Sequence, residues 1–240
     1  NRASKYKKKD FSNNITEKAY LIGFRLGDLN VDRRVNVIRV RCSTTHKAQV
    51  ELIKNLFYQY TTPHIWKAKR GTSEIVCSVN RSFDFLLTKK DLIPIWIRKS
   101  KNSFFSFLAG YSDAEGSFYI KSSKRPGYTE YGIFEIQTQQ KNIINQIWKS
   151  LNLYNVISPK PLISKRGGSA LSNGITNNRD VWRITVARKK SLNNLIKLLG
   201  PYLRHKEKIK AAKIVMKNLE VRNGKRKINN PYRPFLGLAG

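Results

Sequence analysis

The sequence predicts an α+β protein in which one αββαββα plan is written twice. Two observations carry that reading. LIGFRLGDL at 21–29 and LAGYSDAEG at 108–116 are apolar, small-residue segments that each bring a carboxylate to their end, 87 positions apart. Behind each runs the same succession of two-residue and 3.6-residue apolar periods, the marks of strands and helices.

Taken in order, RVNVIRVRCS sets Val35, Val37, Arg39 and Arg41 against Asn36, Ile38, Val40 and Cys42, a period-two strand with one apolar face. KAQVELIKNLFYQY places Val50, Ile53, Leu56 and Phe57 on one helical stripe. SEIVCSV reads as a strand and SFDFLLTKK as a short helix with Ser82 as N-cap. RKSKNS at 98–103 is the expected linker, dividing the chain into repeats at 1–100 and 101–240 that must pack together because the linker is short.

The second repeat runs LAGYSDAEG, strands SFYIKSS and YGIFEIQTQ, helix KNIINQIWKSL, strand VWRITVA and helix SLNNLIKLLG. The offset between copies grows from 87 at the motifs to 94 between Lys47 and Lys141 and 109 between Ser82 and Ser191, so insertions fall in loops near 123–130 and 163–179.

Against an ordinary 40% hydrophobic content over 240 residues stand 47 Lys+Arg and 15 Asp+Glu, a formal charge of +32. A surplus of that size points to a polyanionic partner, nucleic acid first and an anionic membrane second. No stretch approaches the roughly 18–20 apolar residues of a membrane span, and no cationic amphipathic helix with a free apolar face is evident. NRASKYKKKD lacks the apolar core of a signal peptide, so an intracellular protein is expected. The many Asn, Ile and Lys fit an AT-rich coding genome, such as an organelle's.

Cys42 and Cys77 lack zinc-site spacing and read as plain buried thiols. His46, His64 and His205 are scattered and read as surface or phosphate-adjacent residues. No phosphate-binding loop, dinucleotide fingerprint or Ser/His/Asp grouping is present, so ATP chemistry and hydride transfer have no support.

On a helix Gly23 and Gly27 share a face, as do Gly110 and Ala114, so two such helices can meet backbone to backbone. Packed about a pseudo-two-fold axis, they bring Asp28 and Glu115 side by side at the end of the seam. Two carboxylates there face mutual repulsion and an unfavourable helix dipole. A divalent cation removes the conflict. Magnesium beside a phosphodiester would make the pair a hydrolytic site.

LAGYSDAEG resembles the motif of the LAGLIDADG homing endonucleases through Leu108, Ala109, Gly110, Asp113, Ala114 and Gly116. LIGFRLGDL is a weaker copy that keeps Leu21, Gly23 and Asp28 and departs at Leu26 and Leu29. GPYLRHKEKIKAAKIV at 200–215 is similar to the family's segment that brings a basic residue to the scissile phosphate, which on that pattern is Lys206. Lys99 is the first-repeat counterpart.

The resemblance implies antiparallel saddle sheets along the DNA major groove with the two motif helices packed at the centre. It implies a monomeric, intron-encoded endonuclease that cuts one phosphodiester per strand across the minor groove, leaving 3′ overhangs. Asp28 and Glu115 would hold Mg²⁺, with Mn²⁺ substituting and Ca²⁺ binding without cleavage. The alternative on the same scaffold is a non-cleaving binder, such as an intron RNA maturase.

If Ile38, Val40 and Cys42 face the helices, Arg39, Arg41 and Ser43 face the other way. The same alternation turns Tyr119, Lys121, Ser123, Glu135, Gln137, Arg183 and Thr185 outward. Arg pairs with guanine and Gln with adenine in the major groove, so this row is the candidate base-reading surface.

Overall fold

The computed structural model describes residues 8–69, 71–122, 130–168 and 178–228, with no side chains described beyond residue 221. The first repeat opens with α1, Ile15–Gly27, where the Asn14 side chain accepts from the backbone N–H groups of Thr16 and Glu17. Capping satisfies donors that the first turn leaves unpaired. Then come β1 (Asn30–Arg34), β2 (Val37–Thr44), α2 (Lys47–Phe57), β3 (His64–Lys67), β4 (Ser73–Val79) and α3 (Ile95–Lys99).

The second repeat follows with α4 (Lys101–Glu115), β5 (Gly116–Lys121), β6 (Tyr131–Thr138), α5 (Lys141–Leu153), β7 (Leu162–Lys165), β8 (Val181–Val186), α6 (Lys189–Leu199) and α7 (Lys206–Ile228). Each repeat folds into a four-stranded antiparallel sheet, ordered β1-β2-β4-β3 and β5-β6-β8-β7. The expected two-copy α+β architecture is therefore the observed one.

The alternation sorts the faces as expected. Ile38, Val40 and Cys42 are buried on the inner face of the first sheet, and Phe134 and Ile136 on that of the second. Both sheets use those faces to cover one core with the helices. Val35 is 85% exposed because β2 starts at Val37, after the β1–β2 turn.

Three local expectations change. SFDFLLTKK forms no α-helix: Arg81–Leu86 is a 3₁₀ segment capped by Asn80, whose side chain accepts from Ser82 N. Phe83 and Leu86 are both buried, and a three-residue turn puts residues i and i+3 on one side. The α2 stripe is turned by one position, burying Gln49, Leu52, Ile53, Leu56 and Phe57, with Val50 at its margin.

Residues 98–103 join the repeats through helical ends: α3 ends at Lys99, and Ser100 caps α4 by accepting from Ser103 N. The supposed loop 163–179 begins inside β7, which pairs with β8. The rest of that loop at 169–177, and residues 123–129, lie outside the described residues.

The repeats are also tied by polar contacts. Asp91, from the first, accepts from Asn142 N and Ile143 N at the start of α5, and Gln146 Oε1 accepts from Ile93 N. α5 has no side-chain cap of its own at Gln140. Among the described residues no helix is long and apolar enough to cross a membrane.

Candidate functional site

The site begins with what glycine lacks. A methyl group at Gly23 would lie 2.1 Å from the Phe107 carbonyl oxygen, and one at Gly110 would lie 2.0 Å from that of Tyr20. α1 and α4 therefore meet backbone to backbone at two repeat-related points. One turn further on, a methyl at Gly27 would lie 2.4 Å from the Ala114 Cβ and 3.4 Å from Glu115 Oε1. The seam thus brings the end of α4 against the end of α1, where Asp28 is the C-cap.

Both expected carboxylates stand here, and both are held above the usual carboxyl range. For Asp28 the main cause is burial, opposed by the hydrogen bond from Gln49 and by the charges of Lys208 and Lys89. For Glu115 it is burial and then the negative charge of Asp28, opposed by Lys89 and Lys208. Desolvation and a like charge both disfavour ionisation. Gln49 Nε2 donates to Asp28 Oδ2 at 2.6 Å.

Each carboxylate opens into a cleft that leads toward one sheet. Glu115, Lys89, Gln137 and Gln140 line a cleft of about 700 Å³. Asp28, Gln49, Ser43, His46, His205 and Lys208 line another of about 260 Å³.

The two basic residues expected from the resemblance lie elsewhere. Lys206 and Lys99 are exposed, at the start of α7 and the end of α3. Lys208 and Lys89 are the lysines whose charges act on both Asp28 and Glu115. Residues 206 and 208 are about 200° apart around a helix, so they point to opposite sides. Lys208 Nζ donates to the Gly116 carbonyl oxygen, which leads it across the end of α4.

Asp113 sets that geometry. It is 1% exposed, and its Oδ2 accepts from Tyr20 OH at 2.6 Å, Arg204 N at 2.8 Å and His205 N at 3.1 Å. These bonds pin the start of α7, and so Lys208, to the motif helices. His205 is correspondingly buried at 4% exposure, so of the two expectations the surface one fails for it while it lines the Asp28 cleft, whereas His46 and His64 are exposed. Burial and the Lys208 charge lower its pKa.

The departures at Leu26 and Leu29 do not disturb the acidic position. Both are buried core residues, 4% and 2% exposed, and the Leu29 carbonyl is held by the Arg25 guanidinium. Cys42 and Cys77 are buried free thiols, their pKa values pushed up to about 12, chiefly by burial.

Among the described residues no group of three or more His, Cys, Asp or Glu comes together to hold a metal. The donor set is the Asp28 and Glu115 pair of hard oxygen ligands. Such a pair fits Mg²⁺, which keeps several waters and takes one or two carboxylates.

The outer sheet faces carry most of the expected reading residues. Strand pairing sets Arg39 beside Asp32, Arg41 beside Asn30 and Ser43 beside Glu74. On the second sheet Glu135 pairs with Ser117 and Thr185, and Gln137 with Arg183. Tyr119 and Lys121 alternate onto the same face. Ser123 lies outside the described residues. Glu135 is 9% exposed and is engaged with its neighbours, not free on the surface.

Comparison with known proteins gives a family match over the second repeat and a fold for the chain. Residues 108–219 match the family model described as LAGLIDADG endonuclease. The homing endonuclease I-WcaI bound to its DNA recognition sequence superposes with a TM-score of 0.56 at 19% identity, covering 83% of this chain and 88% of that one. I-LtrWI, a LAGLIDADG homing endonuclease bound to target DNA, gives 0.58 at 14% identity over 90% of this chain and 94% of that one. I-GzeII, of the same description and in complex with a DNA target, gives 0.52 at 13% identity over 89% and 93%. No curated protein sequence matches the chain.

Proposed function

We propose that this chain, whose residues 108–219 match the LAGLIDADG endonuclease family and whose fold superposes on homing endonucleases, is a member of that family and a site-specific endonuclease of double-stranded DNA. The observation that carries this reading is the pairing of Asp28 and Glu115 at one glycine-packed seam, with Lys89 and Lys208 beside them. Two carboxylates held above their ordinary range by burial, and for Glu115 also by the charge of Asp28, each lining a cleft, are the kind of group that active sites arrange.

The two sheets lie along the major groove and each reads half of a long asymmetric site. The seam between them spans the minor groove, so Asp28 and Glu115 each serve one strand and the product carries 3′ overhangs. Asp28 and Glu115 would hold Mg²⁺, and the chemistry it would supply there is Lewis acidity toward water and the phosphodiester oxygens.

The chain's own groups do the rest. Gln49 fixes the orientation of Asp28 by its hydrogen bond. Lys208 and Lys89 set cationic charge beside both carboxylates, where negative charge develops on the phosphate oxygens. Asp113 holds the α7 start, and with it Lys208, in register with the motif helices. One chain supplies both halves of the site, so a monomer suffices.

The test is incubation with randomised duplexes in Mg²⁺, Mn²⁺ or Ca²⁺, followed by sequencing of cut ends. Discrete double-strand ends with a fixed stagger are expected in Mg²⁺ and Mn²⁺, and retention without cutting in Ca²⁺. Salt-sensitive retention of intron RNA with no cut duplex in any metal would replace this reading by the non-cleaving one.

A further inference from the structure

On each outer sheet face one carboxylate gathers several of the long donors, Asp32 on the first and Glu135 on the second, with Glu74 a further acid beside Ser43 on the first. On the first, Asp32 lies 2.8 Å from Arg34 Nε, 3.1 Å from Arg39 Nη2 and 3.4 Å from Arg41 Nη2, and it accepts from Arg39 Nε at 3.2 Å. On the second, Glu135 accepts from Gln137 Nε2 at 2.7 Å, Tyr119 OH at 3.2 Å and Thr185 Oγ1 at 3.4 Å, with Arg183 Nη1 at 4.0 Å.

The two acids are not the same position inherited twice. The strand registers pair Asp32 with Arg39 and Asn30 with Arg41, and they pair Tyr119 with Ile133 and Ser117 with Glu135. Asp32 therefore corresponds to Tyr119, and Glu135 to Arg41. The carboxylate has changed strand between repeats, yet in both it ends up among the side chains expected to read bases.

An acid on a face that meets a polyphosphate lowers affinity, and this chain of net charge +32 has only 15 acidic residues to place. Resting on the endonuclease reading above, we infer that Asp32 and Glu135 are specificity-determining positioning residues that act through their neighbours and contact no base themselves. Each holds long donors in one geometry before DNA arrives, which reduces the ordering cost of a correct encounter. Each also repels phosphate and competes for the arginines, so a duplex whose base edges do not draw those donors away is bound poorly. That is a repulsive element against wrong sites.

The test uses the full chain with Asp32→Asn and, separately, Glu135→Gln, which remove charge and keep shape. Each variant and the wild type are put through selection from a randomised duplex pool in Ca²⁺. Binding to the selected site and to a random duplex is then measured across salt. The expected result is random-duplex binding about tenfold tighter, with a salt dependence steeper by about one unit of slope as freed arginine reaches phosphate. Re-selected sites lose sequence preference only under the half that carries the substitution.

A role in folding alone would lower the melting temperature and leave the ratio of specific to random binding intact. Asp32 has a side chain 30% exposed and its exchange leaves the core untouched, so that arm stands even where Glu135→Gln destabilises. Wild type and both variants selecting the same site with the same ratio would overturn this inference alone. Wild type selecting no site at all would instead overturn the endonuclease reading on which it rests.

Discussion

A single methyl group at Gly110 tests how closely the motif helices must pack. The added carbon would lie 2.0 Å from the Tyr20 carbonyl oxygen and 2.9 Å from Phe24 N. A carbon and a carbonyl oxygen need about 3.3 Å, so α1 and α4 must part by about 1.3 Å, because backbone atoms cannot rotate out of the way. Overpacking of this kind costs about 1–3 kcal/mol, and contact with backbone puts Gly110→Ala at the upper end. For a chain of this length about 3 kcal/mol corresponds to a fall of roughly 6–12 °C in Tm. The same displacement moves one carboxylate relative to the other by about 1 Å, enough to slow cleavage by about 100-fold. Thermal unfolding and single-turnover cleavage below both transitions measure the two effects. Gly200→Ala, which meets nothing within 4 Å, is the control and should change neither. If Gly110→Ala matched that control in Tm and in rate, the close-packed seam would not be what positions the site.

Three further outcomes follow from the same geometry. Glu115 is held above its ordinary range, so the folded state takes up its proton at higher pH than the unfolded chain does; the ionised group costs stability at neutral pH, and the cost fades as pH falls through the raised value. Glu115→Gln should therefore raise the stability of the metal-free protein by about 0.5–2 kcal/mol near pH 7, with the gain shrinking toward acid pH in a urea titration series. Lys208→Met and Lys89→Met should each slow cleavage by about 10²–10³, whereas Lys206→Met and Lys99→Met stay near wild type in single-turnover kinetics. Asp91→Ala leaves two N–H groups at the start of α5 without their partner and should cost about 1–2 kcal/mol in urea unfolding.

What could be read from the sequence was whatever depends on local period or on likeness between the two halves. The alternation at 37–42 gave the inner and outer faces of β2, and Gly23, Gly27, Gly110 and Ala114 gave the seam and its two carboxylates. Gln49 was missed although its spacing to Leu52, Ile53, Leu56 and Phe57 puts it on the buried α2 stripe. A polar residue in a core position was the available signal. Lys208 was missed for a different reason: which lysine of KEK points inward depends on where α7 begins, and that start is held by Asp113, more than 90 residues away. Lys89 was missed because SFDFLLTKK reads as a helix that would carry it, whereas the 3₁₀ segment ends at Leu86 and leaves Lys89 beyond it. Asp32 and Glu135 could not be matched by repeat alignment because they sit on different strands in the two copies.

The central claim is that Asp28 and Glu115 together form the site of DNA hydrolysis. Its most direct measurement is single-turnover cleavage in Mg²⁺ of the duplex selected by the wild type, comparing wild type with Glu115→Gln and with Asp28→Asn. Both variants should bind that duplex with near wild-type affinity and fail to make the double-strand cut. A Glu115→Gln protein that cuts both strands at the wild-type rate would contradict the account.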